Sequence, residues 1–112
     1  MVRTLDELDI PANVKNEITL VMKTLLEKFS SNINKMILFG SYATCKYQPD
    51  SDIDIAVSLN EMPDIKERRY YKQAIDLERD VDLLFCTREQ LSGELYIYGR
   101  IAEQGVVLYE QL

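Results

Sequence analysis

The chain of 112 residues contains no histidine, which excludes Ser/His/Asp and Cys/His catalysis and every metal site that needs an imidazole. Any proton transfer must fall to carboxylates. Its two cysteines, Cys45 and Cys86, show neither a C-x-x-C pair nor zinc-ligand spacing, a usage that predicts reduced thiols in a cytosolic protein and leaves a disulfide to geometry. With 4 glycines and 3 prolines, and no repeat or Gly/Ser linker, the composition excludes collagen-like and low-complexity classes. No stretch approaches the roughly 18 apolar residues of a membrane span, and Asp6, Glu7 and Asp9 stand where a signal peptide would carry its apolar run. A cytoplasmic location and no membrane partner are the expectation. Basic residues are outnumbered 13 to 19, for a net charge of -6, which argues against non-specific nucleic-acid binding and suits cations better.

The length fits one domain, 1–112, with one core and no room for a separate substrate lobe, so a large substrate must be held partly by another molecule. From Pro11 to Phe29, Val14, Ile18, Val21, Leu25 and Phe29 recur at helical spacing. Met36 to Phe39 reads as a buried strand closed by Gly40, and Asp52 to Val57 as a second strand with Ile53, Ile55 and Val57 on one face. Pro63 and Asp64 predict a helix start, with the helix running to about Arg79. Val81 to Phe85 is a third apolar run. Thr87 resembles an N-cap for a helix bearing Leu91, Leu95, Tyr98 and Ala102, which Gly105 ends, and Val106 to Tyr109 supplies a fourth strand. Alternating helices and strands predict an α/β fold, a sheet of about four strands covered by helices.

Chemistry concentrates at three places. Gly40-Ser41 follows a strand, where exposed backbone N–H groups and a hydroxyl can meet phosphate oxygens, although a Gly-Ser pair alone is an ordinary turn. In Asp52-Ile53-Asp54 the alternation of a strand puts both carboxylates on one face, about 6.6 Å apart along the chain, able to converge on one cation or bridge two. A solvated acidic face is the plain alternative, yet aspartate is disfavoured in strands and here interrupts an apolar segment twice. Asp82, between Val81 and Leu83, breaks local preference in the same way and is the candidate third carboxylate, for a metal shell or for proton removal. Asp80 lies at a turn, where aspartate is unexceptional.

Gly40-Ser41, ten intervening residues and Asp52-Ile53-Asp54 together resemble the G-S-x(10)-D-x-D signature of the DNA polymerase β-like nucleotidyltransferases. The short chain, Ser51-Asp52-Ile53-Asp54-Ile55, Val81-Asp82-Leu83 and the ending Gly105 to Tyr109 are similar to the minimal nucleotidyltransferases, often antitoxin partners of HEPN-domain proteins. The resemblance covers nearly the whole chain from Met36 onward. It implies a mixed sheet, Mg²⁺ (two ions), and ATP or another nucleoside triphosphate as donor. Residue by residue, it implies that Gly40 and Ser41 contact the triphosphate and that Asp52, Asp54 and Asp82 are catalytic metal ligands. The implied reaction is transfer of a nucleoside monophosphate, AMP foremost, to an acceptor hydroxyl such as a tyrosine of a HEPN toxin. A sterically masking antitoxin without catalysis and a small-molecule nucleotidyltransferase are the alternatives. Where many relatives have Arg-Gly, this chain has Thr44-Cys45, losing a charge for phosphate and a glycine for close backbone approach. Lys46 reads as a solvated surface residue. Arg69 and Tyr70 are candidates for a partner contact at the cleft rim.

Overall fold

The computed structural model describes residues 4–92 and 96–111. A 3₁₀ turn, Leu5–Glu7, precedes α1, Ala12–Phe29, which starts directly after Pro11. Val14, Ile18, Val21 and Leu25 are the buried stripe of α1, each contributing about 1.5–3 kcal/mol by leaving water. The stripe rests on one face of a four-stranded sheet formed by β1, Ile33–Phe39, β2, Ile53–Leu59, β3, Val81–Cys86, and β4, Val106–Glu110. The order across the sheet is β3-β2-β1-β4, with β2 and β3 parallel and the other pairs antiparallel. The alternation predicts the helix-covered α/β sheet, and its mixed strand directions are those that the resemblance implies. The α1 face carries Ile53, Ile55, Val57 and Leu59 of β2 with Val81, Leu83 and Phe85 of β3, the period-two set of each strand.

The opposite face carries Ile37, Ala56, Leu84 and Cys86 and is covered by Leu91 and Ile101. Those two side chains belong to α4, Arg88–Ser92, and α5, Tyr96–Gln104. Both lie within the helix expected after Thr87, on either side of residues 93–95; Leu95 lies outside the described residues, as do the side chains of Tyr98 and Ala102. Thr87 caps as expected, its hydroxyl accepting from Gln90 N while Gln90 Oε1 accepts from Thr87 N. Gly105 ends α5, and its N–H donates to Ile101 O.

Between the strands, α2, Gly40–Ala43, is one turn, and α3, Ile65–Gln73, is capped by the Asp64 carboxylate, which accepts from Glu67 N at 2.8 Å. The expectation that this helix runs to about Arg79 is corrected: it ends at Gln73. Tyr71 anchors it inward, stacked on Phe29 at 3.9 Å and edge-on to Phe85 at 5.3 Å. Beyond Ala74 the chain turns so that Arg79 points into the molecule. Both cysteines are free thiols, Cys86 buried and Cys45 exposed, and burial pushes the Cys86 thiol up to about 11. Among the described residues, no helix is long and apolar enough to cross a membrane.

Candidate nucleotide-transfer site

Because successive strand residues point to opposite faces, the packing of Ile53, Ile55 and Val57 on α1 turns Asp54 to the other side. Asp54 stands in a row across three strands, opposite Phe39 of β1 and opposite Asp82 of β3. Asp54 is half-buried, Asp82 is exposed, and Asp52, just before β2, is also exposed. Burial first, then the charges of Asp82 and Asp52 and a hydrogen bond with Asp82, push the Asp54 carboxyl from 3.8 up to about 6. Near neutral pH this group sits close to its titration point, and a nearby cation would favour its ionised form.

Gly40 explains how the turn after β1 reaches the carboxylates. Its φ is +75°, and a Cβ built on it would overlap Asp54 Oδ2, so a side chain is excluded both by backbone conformation and by space. The turn backbone lies directly against the Asp54 carboxyl, with Ser41 the next residue. Gly40, Asp54 and Asp82 are thereby placed together. Asp52, exposed just before β2, acts on Asp54 through its charge.

Among the described residues, no three carboxylate or thiol side chains form a ready-made ion cage. The donor set nevertheless suits a hard divalent cation, which takes carboxylate oxygens and retains water. Asp54 and Asp82 are register partners on adjacent strands, and the charge of Asp82 opposes ionisation of Asp54. A proton or a cation between two such carboxylates relieves their repulsion.

The departure at Thr44-Cys45 has a structural answer. Lys46 N donates to Ser41 O at 2.9 Å and Cys45 N to Tyr42 O at 3.4 Å, the paired bonds that close a helix through a residue in the left-handed region. Cys45 is that residue, with φ 59°. The turn keeps the shape a glycine would give it, at a conformational cost of about 1 kcal/mol. Thr44 Oγ1 donates to Gly40 O at 3.2 Å and so bonds the turn itself. The positive charge of an arginine at that position is absent.

Arg79 is the residue that pattern reading missed. Its side chain is 14% exposed, and its guanidinium pairs with Glu17 of α1 at 2.8 Å. Nη1 donates to Tyr42 Oη at 2.8 Å and to the carbonyls of Pro49 and Ser51, each at 3.1 Å. It also lies over the Tyr42 ring, 5.6 Å from the centroid. One planar fork thus ties together the Gly40–Ala43 turn, the loop entering Asp52 and the segment leading to Asp82. The only sequence signal was an arginine two residues before an apolar strand, which has no meaning without its distant partners. Lys46 is exposed, Tyr70 is 52% exposed, and Arg69 lies on the outer surface of α3.

A small α/β sheet with carboxylates gathered on neighbouring strands beside a glycine turn defines a class of phosphate-handling domain. Residues 13–111 match the family described as Polymerase beta, Nucleotidyltransferase, and the chain belongs to that family. A protein of Methanocaldococcus jannaschii, provisionally named a protein adenylyltransferase, is 34% identical over 62 residues, 55% of this chain and 56% of that protein. The chain thus spans little more than half of that curated relative. Among solved structures, a toxin-antitoxin chain crystallised with AMP-PNP is similar with a TM-score of 0.63 and 29% identity, covering 86% of this chain and 73% of that one. A chain of a toxin-antitoxin MntA-HpeT mutant is similar with a TM-score of 0.61 and 28% identity, covering 84% and 72%.

Proposed function

We propose that this protein is a Mg²⁺-dependent nucleotidyltransferase that moves AMP from ATP to a tyrosine hydroxyl of a HEPN-domain toxin and thereby acts as its antitoxin. The observation that carries this reading is the Asp54–Asp82 pair beside the Gly40 turn, in a chain similar both to a protein adenylyltransferase and to toxin-antitoxin structures.

Asp52, Asp54 and Asp82 would hold the divalent ions, whose chemistry is to neutralise phosphate charge and make the acceptor hydroxyl more acidic. Gly40 and Ser41 would receive the triphosphate, the absent Gly40 Cβ letting this turn lie against the Asp54 carboxyl. The acceptor oxygen attacks the α-phosphorus in line, forming one O–P bond while the bond to the β-phosphate oxygen breaks and pyrophosphate leaves. The acceptor's proton passes to Asp82, the outermost and most accessible carboxylate of the row. Arg79 keeps the loop and turn in place without touching the reacting atoms.

The test is incubation with labelled ATP, Mg²⁺ and the co-encoded partner, with mass spectrometry of both chains. An AMP adduct on a partner tyrosine is the expected result. Stable complex formation with no adduct would replace this reading by a sterically masking antitoxin, which the uncharged Thr44 favours. Efficient transfer to a small molecule without any partner would replace it by a small-molecule nucleotidyltransferase.

A further inference from the structure

The sheet order separates the two ends of the candidate site. Gly40 abuts Asp54 from the β1 side, whereas Asp82 flanks Asp54 from the other side, on the edge strand β3. Along that outer edge runs an open groove of about 360 Å³ between α3 and β3. Leu83 and Phe85 supply apolar surface, Ile65, Arg69 and Lys72 come from α3, and the groove reaches Asp82. The three α3 residues are spaced four and three apart and so share one helix face. Ile65 is 69% exposed.

The charge of this helix departs from that of the chain. Lys66, Arg68, Arg69 and Lys72 fall within seven residues of a protein whose net charge is -6. Arg68 is partly engaged, its Nε donating to Pro63 O at 3.0 Å, and the other three are exposed. An edge strand presents unpaired backbone N–H and C=O groups, which an extended chain can satisfy as an added strand.

We propose that this groove is the acceptor subsite and that its occupant is an extended acidic segment of a partner protein, laid along β3 so that its hydroxyl-bearing side chain reaches Asp82. The proposal rests on the transferase reading above and specifies the chemistry of its acceptor. The backbone of β3 supplies hydrogen bonds, Arg69 and Lys72 pair with carboxylates of the segment, and Ile65, Leu83 and Phe85 receive its apolar atoms. The donor triphosphate stays on the Gly40 side, which leaves Arg69 and Lys72 to the acceptor segment.

The experiment titrates isotope-labelled protein with a short acidic peptide bearing one central tyrosine, and with a twin whose acidic residues are lysines. Amide signals of Val81–Cys86 and of α3 should shift with the acidic peptide, and binding of the twin should be at least tenfold weaker. Combining Arg69→Glu with Lys72→Glu should weaken the acidic peptide tenfold or more while leaving Mg-ATP binding and the melting temperature unchanged. Equal binding of the twin, unshifted β3 amides at millimolar peptide, or equal competition by an RNA oligonucleotide would overturn the proposal. Groove binding without AMP transfer would remove the transferase reading and leave the groove. Transfer to a tyrosine that is insensitive to the double charge reversal would do the reverse.

Discussion

Replacing Asp54 by asparagine should make the metal-free protein more stable above neutral pH and leave it nearly unchanged in acid. The folded Asp54 carboxyl titrates at about 6 against an ordinary value of 3.8, so the folded state holds this proton more tightly than the unfolded chain does. Its contribution is most favourable below about pH 4 and is lost as pH rises through about 6, when the carboxyl ionises beside Asp82 and Asp52. At about 1.36 kcal/mol per pH unit the ceiling is about 3 kcal/mol. Asp54 is only half-buried and both neighbours are exposed, so water screening reduces this to about 1–2 kcal/mol. Asparagine has the same shape, carries no charge and can still donate to Asp82, so it removes the repulsion without leaving a cavity. Thermal unfolding in chelator between pH 4 and 8 measures the effect. The melting temperature of Asp54→Asn minus that of the wild type should rise from near zero to roughly 4–10 °C. Added Mg²⁺ at pH 8 should narrow the gap by stabilising the wild type. A gap that does not change with pH, or a variant less stable than the wild type at pH 8, would refute the placement of Asp54 among the carboxylates.

Arg79→Ala strips Glu17, Tyr42 and two loop carbonyls of one shared partner and should cost about 3–4 kcal/mol in urea unfolding; Arg79→Lys, which keeps the charge without the fork, should recover part of it, and a loss below about 0.5 kcal/mol would contradict the tie. Cys45→Gly should raise stability by about 1 kcal/mol, since φ 59° suits glycine; destabilisation in the same assay would count against the left-handed cap. Gly40→Ala places a methyl group against Asp54 Oδ2 at φ +75° and should lower Mg-ATP affinity more than tenfold by calorimetry, whereas wild-type affinity would show that the turn is not pressed against the carboxylate.

The alternation of helices and strands was legible in the residues alone, because period and capping are local. The stripe of α1, the Asp64 and Thr87 caps and the alternation of β2 all lie where the residues put them. The residues also made the carboxylates conspicuous, since Asp54 and Asp82 violate strand preference inside apolar runs and such violations need a compensating role. How these segments meet depends on long-range packing. Strand order, which pattern does not encode, made Asp82 the register partner of Asp54 and left β3 at the edge. The end of α3 was misread for the same reason: Ile75 and Leu77 extend an apolar pattern, but the chain leaves the helix at Gln73 to bring Arg79 to partners 28 to 62 residues away. Gly40 looked like an ordinary turn glycine until the Asp54 carboxyl filled the space its side chain would occupy. Local preferences act over a few residues, whereas a guanidinium fork or a missing Cβ acquires its role from atoms that only folding brings near.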